Sequence, residues 1–103
     1  MNLLRLAVLT SVVLISACSF VQLTDAGANV AQLGAGDVAG CAEKGVVSTQ
    51  TRARVVFNRS AGAVQEELTV LARNEAALLG ANAIVPVGEP ERGAQRFRAY
   101  FCQ

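Results

Sequence analysis

The 103-residue chain contains no histidine. The commonest general base near neutral pH, which is also the commonest nitrogen ligand for metals, is therefore missing. No serine has a base in view, and the adjacent pair Glu66 and Glu67 falls on the polar side of a helical stretch, where neighbours do not face each other. An enzyme is not expected. Long apolar runs are also lacking: the longest, Leu6 to Ala17, is about a dozen residues, and a bilayer-spanning helix needs roughly 20. Nor is there an excess of charge. The formal net charge of +1 gives nucleic acid or another polyanion nothing to hold. The glycines of Gly34-Ala35-Gly36-Asp37-Val38-Ala39-Gly40 have the spacing G-x-G-x-x-x-G and precede no helix, which argues against a dinucleotide fingerprint.

What is present begins with Met1-Asn2-Leu3-Leu4-Arg5, a short stretch with one positive charge, followed by the apolar run to Ala17. These are the n-region and h-region of a secretory signal. The run closes on Ile15-Ser16-Ala17-Cys18, which resembles the lipobox of bacterial lipoproteins. That resemblance implies a diacylglyceryl group on the Cys18 thiol, cleavage before Cys18, and acylation of the new amino terminus by a chain such as palmitate. Two attachment points carrying three acyl chains would exceed the two signals that stable anchoring requires. A plain secreted protein with Cys18 near its cut is the bland alternative. In such lipoproteins an Asp after the lipidated Cys favours the inner membrane. Here the residue is Ser19, so the expected location is the periplasmic face of the outer membrane, with the membrane itself as first partner.

Residues 1–17 are thus a signal peptide, and residues 18–103 form a single small periplasmic domain. The signal takes Arg5 with it, leaving eight basic against eight acidic side chains in the remainder. Lipidation of Cys18 leaves Cys41 and Cys102 as an even pair in an oxidising compartment, where a disulfide is expected. Two buried free thiols, or a metal or redox pair, are the competing readings. The long separation and the missing histidine count against the latter. A bridge closing a loop of about 60 residues stabilises by about 4 kcal/mol in the chain-entropy model.

Apolar, β-prone residues start at Phe20, so the tether is short or absent. Thr24-Asp25-Ala26-Gly27 reads as a turn. Ala28 to Leu33 is a weak strand, residues 34–40 are a loop, and Glu43 to Val56 is a long strand bulged at Gly45. In that strand Arg52 and Arg54 alternate with Ala53 and Val55. Asn58 and Ser60 are candidate caps for the clearest helix, Ala61 to Leu79, which ends at Gly80. A short buried strand, Ala81 to Val85, stops near Pro86. Residues 88–93 are dense in turn formers, and in Gln95 to Cys102 the residues Phe97, Ala99 and Phe101 alternate with Arg96, Arg98 and Tyr100. The aromatics are expected to face the helix, and Arg96 and Arg98 to form an outward basic strip.

Helical periodicity puts Val64, Leu68, Leu71, Ala72, Leu78 and Leu79 on one stripe facing the sheet. Glu75 lies within it. A carboxylate facing a core must be paired, hydrogen-bonded or neutralised. Three readings stand: solvation at the edge of the stripe, a structural anchor, or a ligand contact. Together these elements predict an α+β fold, with one main helix on a sheet of about four strands and one disulfide.

At Asn74-Glu75-Ala76-Ala77-Leu78-Leu79-Gly80-Ala81-Asn82-Ala83-Ile84-Val85 the sequence resembles small envelope lipoproteins of the domain of unknown function 4156 family. Leu23-Thr24 with Gly27 and Val30, Val38-Ala39-Gly40-Cys41, Arg96-Phe97 and Cys102 support the match. More distantly, the helix followed by Gly-Ala-Asn-Ala resembles the RcsF stress-sensor lipoproteins and a compact α/β family linked to heavy-metal binding. The stress sensors carry further cysteines and a long proline-rich linker, both absent here. The expected function is that of a non-enzymatic interaction or sensor module that meets another envelope protein and needs no cofactor. The alternative is a small-ligand or metal-binding periplasmic domain, with Glu75 and the Glu89 to Glu91 turn as its only obvious carboxylates.

Overall fold

A computed structural model describes residues 21–51 and 60–103. Cys18 and the signal, together with Arg52, Arg54 and the candidate cap Asn58, lie outside the described residues. The architecture is α+β: one helix lies across a four-stranded mixed sheet. In chain order the strands and helix are β1 (Ala31–Gln32), β2 (Ala42–Gln50), α1 (Ala61–Leu78), β3 (Ala83–Glu91) and β4 (Ala94–Phe101). The spatial order of the strands is β1-β3-β4-β2. β1 runs parallel to β3, whereas β3–β4 and β2–β4 are antiparallel.

The core is built on one face of this sheet. Val47 of β2 pairs with Phe97 of β4, and Ile84 of β3 pairs with Ala99. These four residues form a cluster with Val30, Ala72, Ala76 and Ala81. Ala72 and Ala76 present only methyl groups, which lets the second half of the helix approach the strands closely. Toward the other end the same face turns polar. Gln95 and Thr49 are buried, with Thr49 Oγ1 donating to the Gln95 carbonyl at 3.1 Å. No side-chain N or O buried among the described residues lacks a hydrogen-bond partner.

Both ends of α1 follow their expected chemistry. Ser60 Oγ accepts from the Ala63 amide at 3.1 Å and caps the amino terminus. Gly80 has φ +77, the left-handed conformation that ends a helix at low cost when the side chain is hydrogen. The buried face differs from the expected stripe. The buried residues are Val64, Leu68, Ala72 and Ala76, an i, i+4 row. At about 100° per residue this row turns by about 120° between Val64 and Ala76. Glu75 therefore points about 100° away from the local buried direction and Leu78 about 160° away. Both are exposed, and Leu79 is as well. The straight stripe fails because the buried direction rotates along the helix, so a single fixed direction does not describe both halves.

The strands depart from expectation where edges and turns intervene. The Ala28–Leu33 segment yields a 3-10 turn over Gly27–Asn29 and only two strand residues, and the following loop contains a second 3-10 turn, Ala35–Val38. β2 ends at Gln50, and its register shifts between Glu43 and Gly45 as the glycine suggests. β3 does not stop at Pro86 but runs through both prolines to Glu91. Ile84 accepts from the Leu33 amide, so it turns its polar groups toward β1, and Pro86, two residues on, turns its ring nitrogen to that same side. β1 pairs with β3 only at Ala83 and Ile84, so the missing N–H breaks no ladder bond. The turn shrinks to Arg92-Gly93, both at positive φ (51° and 74°), the pattern of a type I′ hairpin. Phe97 and Ala99 face the helix, but Phe101 is exposed, because it pairs with Ala42 at the far end of the sheet.

Candidate functional site

The molecule has two unlike ends. At one, called here the base, the helix terminates, β2 begins and β4 finishes. Cys41 and Cys102 are joined there by the expected disulfide, with Cα atoms 4.5 Å apart. The register explains the pairing: Ala42 lies opposite Phe101, so the residues flanking that pair are already neighbours. At the other end lie the helix amino terminus and the β3–β4 turn.

Two asparagines organise the base, and the sequence reading assigned neither a role. Asn74 holds the incoming chain: its Oδ1 accepts from the Thr24 amide (2.9 Å) and hydroxyl (3.1 Å), and its Nδ2 donates to the Gln22 carbonyl (2.9 Å). Gly27 fits beneath this amide, because a Cβ there would overlap Asn74 Oδ1 and approach Asn74 Cα at 3.2 Å. Arg73 extends the clasp, donating through Nε to the Val30 carbonyl (2.7 Å) and through Nη2 to that of Ala28 (3.2 Å). Asn82 does the same for the outgoing chain. Its side-chain amide reproduces a peptide group beside Cys102, with Nδ2 donating to the Cys102 carbonyl and Oδ1 accepting from its amide, both at 2.7 Å. The only signal in the sequence is an amide side chain where a helix or strand former would otherwise stand.

The other end holds an open cleft of about 590 Å³ between the first turn of α1 (Ala61, Gly62, Val64, Gln65) and the hairpin (Glu89, Pro90, Arg92, Gly93). Gln95 forms a bridge beside it. Gln65 Nε2 donates to Gln95 Oε1 at 2.7 Å, and Gln95 Nε2 donates to the Gly88 carbonyl at 3.0 Å. The bridge satisfies this buried amide without a ligand.

The sequence-predicted carboxylates do not converge. Glu89 lines the cleft, whereas Glu75 lies 14 residues along the helix from Ala61, about 21 Å at 1.5 Å per residue. Glu75 is exposed with no hydrogen-bonding partner among the described residues, which is the solvated-edge reading and not the anchor. Arg96 and Arg98 are exposed on the face away from the helix, and Arg98 makes an ion pair with Glu43 at 3.5 Å. Both partners are half-exposed, so the pair contributes little. Among the described residues no group of three His, Cys, Asp or Glu side chains could hold a metal ion, and no helix is long and apolar enough to cross a membrane.

The family described as "Domain of unknown function (DUF4156)" matches residues 21–102. That span includes every described element, both asparagine clasps and the disulfide. No curated protein and no solved structure matches the chain.

Proposed function

We propose, for a chain that belongs to the domain of unknown function DUF4156 family, the role of a lipid-anchored, non-enzymatic interaction or sensor module on the periplasmic face of the outer membrane. The observation that carries this reading is the position of the first clasp. Gln22 is already bound to Asn74, only four residues beyond the lipobox Cys18. Four residues span at most about 14 Å, so a lipid on Cys18 holds the folded base against the bilayer. An anchored domain of this kind presents its hairpin end to the periplasm, where another envelope protein can meet it. The bonded Cys41 and Cys102 and the absence of histidine leave little with which to build a catalytic centre.

The test is residue-specific. Cys18→Ser is expected to abolish incorporation of labelled palmitate and to shift the protein from the outer-membrane fraction to another fraction. Unchanged labelling and fractionation would remove the anchor from the proposal. Crosslinking in intact envelopes, followed by recovery of the chain, is expected to retrieve a defined partner protein. The cleft beside Arg92 and Glu89 favours the second reading, a small-ligand or metal-binding domain. Metal-dependent thermal stabilisation that is lost in Glu89→Gln would support it over the first.

A further inference from the structure

Five large apolar side chains are exposed among the described residues: Leu23, Val46, Leu78, Leu79 and Phe101. Four of them belong to the base. Leu23 sits between Gln22 and Thr24, the two residues clasped by Asn74. Leu78 follows Asn74 by one helical turn, on the same row of the helix. Leu79 reaches over the start of β2, with its Cδ1 3.5 Å from where a Cβ on Gly45 would stand, and Phe101 ends β4 opposite Ala42. Leu78 is 78% exposed, so it contributes almost nothing to the domain's own core.

We infer that Leu78 and Leu79, flanked by Leu23, form a docking surface for the apolar side of the membrane interface, which seats the base of the domain in the bilayer it is anchored to. This rests on the anchored reading of Cys18 given above. The chain length between anchor and clasp selects the occupant. With at most about 14 Å from Cys18 to Gln22, and Leu78 about 6 Å along the helix axis from Asn74, the leucines cannot leave the neighbourhood of the lipid headgroups. Any other partner would have to enter the gap between the base and the bilayer. The charges nearby do not favour an anionic surface. Glu75 is exposed one turn before Leu79, Lys44 is exposed on β2, and Arg73 is occupied by backbone carbonyls. The attachment is apolar, and so largely independent of salt.

The chain has no tryptophan, so a single introduced indole reports its own surroundings. The protein from Cys18 onward contains every described element and, with Cys41 and Cys102 oxidised, a single free thiol. It is coupled through Cys18 to maleimide-bearing lipid in phosphatidylcholine vesicles, with and without brominated acyl chains. In Leu78→Trp, emission is expected to shift to the blue and to be quenched by bromine. In Glu89→Trp, at the hairpin end, neither is expected. Leu78→Asp with Leu79→Asp is expected to reduce quenching of a Leu23→Trp reporter about tenfold or more, the loss due to two unburied leucines. Unshifted, unquenched emission from Leu78→Trp overturns the inference. A blue shift without bromine quenching also overturns it, because the leucines then meet protein and not lipid. Chemical coupling makes this result independent of acylation in the cell. Failure of the docking surface is thereby separated from failure of the anchor, which Cys18→Ser fractionation decides.

Discussion

The fit of Gly27 beneath the Asn74 amide makes a quantitative prediction about how the two residues depend on each other. A methyl group at position 27 would overlap Asn74 Oδ1 and touch Thr24 Oγ1 at 3.0 Å. The amide must swing away, losing its bonds to the Thr24 amide, the Thr24 hydroxyl and the Gln22 carbonyl. Three bonds at about 0.5–1.5 kcal/mol each, reduced because their surroundings are exposed, put the cost of Gly27→Ala at about 1–3 kcal/mol. Asn74→Ala removes the same three bonds directly and should cost a similar amount. The double variant has nothing further to lose except the tight approaches to the Cα of residue 74, at 3.2 Å, and to Thr24 Oγ1, at 3.0 Å. Its cost should be close to that of either single change, giving a coupling of about 1–3 kcal/mol between positions 27 and 74. Urea unfolding of the oxidised protein at equilibrium, with all four forms of the cycle, measures this. Strictly additive costs, or a neutral Gly27→Ala, would refute the steric and hydrogen-bonding account of the clasp.

Three further outcomes follow from other contacts. Replacing Cys41 and Cys102 together by serine opens a loop of sequence separation 61 and should lower stability by about 4 kcal/mol in the chain-entropy model. A melting temperature insensitive to both this change and to reductant would contradict it. Asn82→Ala, which unpairs the amide and carbonyl of Cys102, should cost about 1–3 kcal/mol by chemical denaturation, and Asn82→Leu should not restore the loss. Arg92→Asn places the residue favoured at positive φ in the first position of the hairpin turn, and thermal unfolding should show a gain of about 1 kcal/mol.

The parts of the fold legible in the sequence are those where one local rule operates alone. The helix limits are an example: Ser60 supplies an oxygen at one end and Gly80 a left-handed residue at the other. The glycine at position 45 announced its own register shift, and the alternation around Phe97 identified the buried face of β4. Legibility is lost where a residue's meaning depends on a distant neighbour. Glu75 looks core-facing only while one fixed direction is taken for the whole helix, and the rotation of the buried row that leaves it exposed is set by the packing. Pro86 ends a strand only if a partner needs its N–H, and the shortness of β1 cannot be read from the residues around the proline. Leu78 and Phe101 scan as core because they are apolar at the right spacing, yet Leu78 points away from the local buried direction of the helix and Phe101 lies at the far end of the sheet, opposite Ala42. At the base, the disulfide was readable from cysteine arithmetic. Asn74 and Asn82 were not, since each acts on backbone 20 or more residues away.

The arrangement of the base also bears on how the domain would carry load. In the proposed anchored state, a pull between Cys18 and a partner at the hairpin end would first meet the three hydrogen bonds of Asn74 and the two of Arg73, then the two-residue strand β1, which sits at an edge and can be peeled away one bond at a time. Residues 22–40 could then extend by about 65 Å. The yielding stops at Cys41, where the covalent link to Cys102 divides the tension between β2 and β4, two strands that pair along their whole lengths. The chain would thus behave as a compliant leader in series with a stiff body, and the disulfide marks the joint between them.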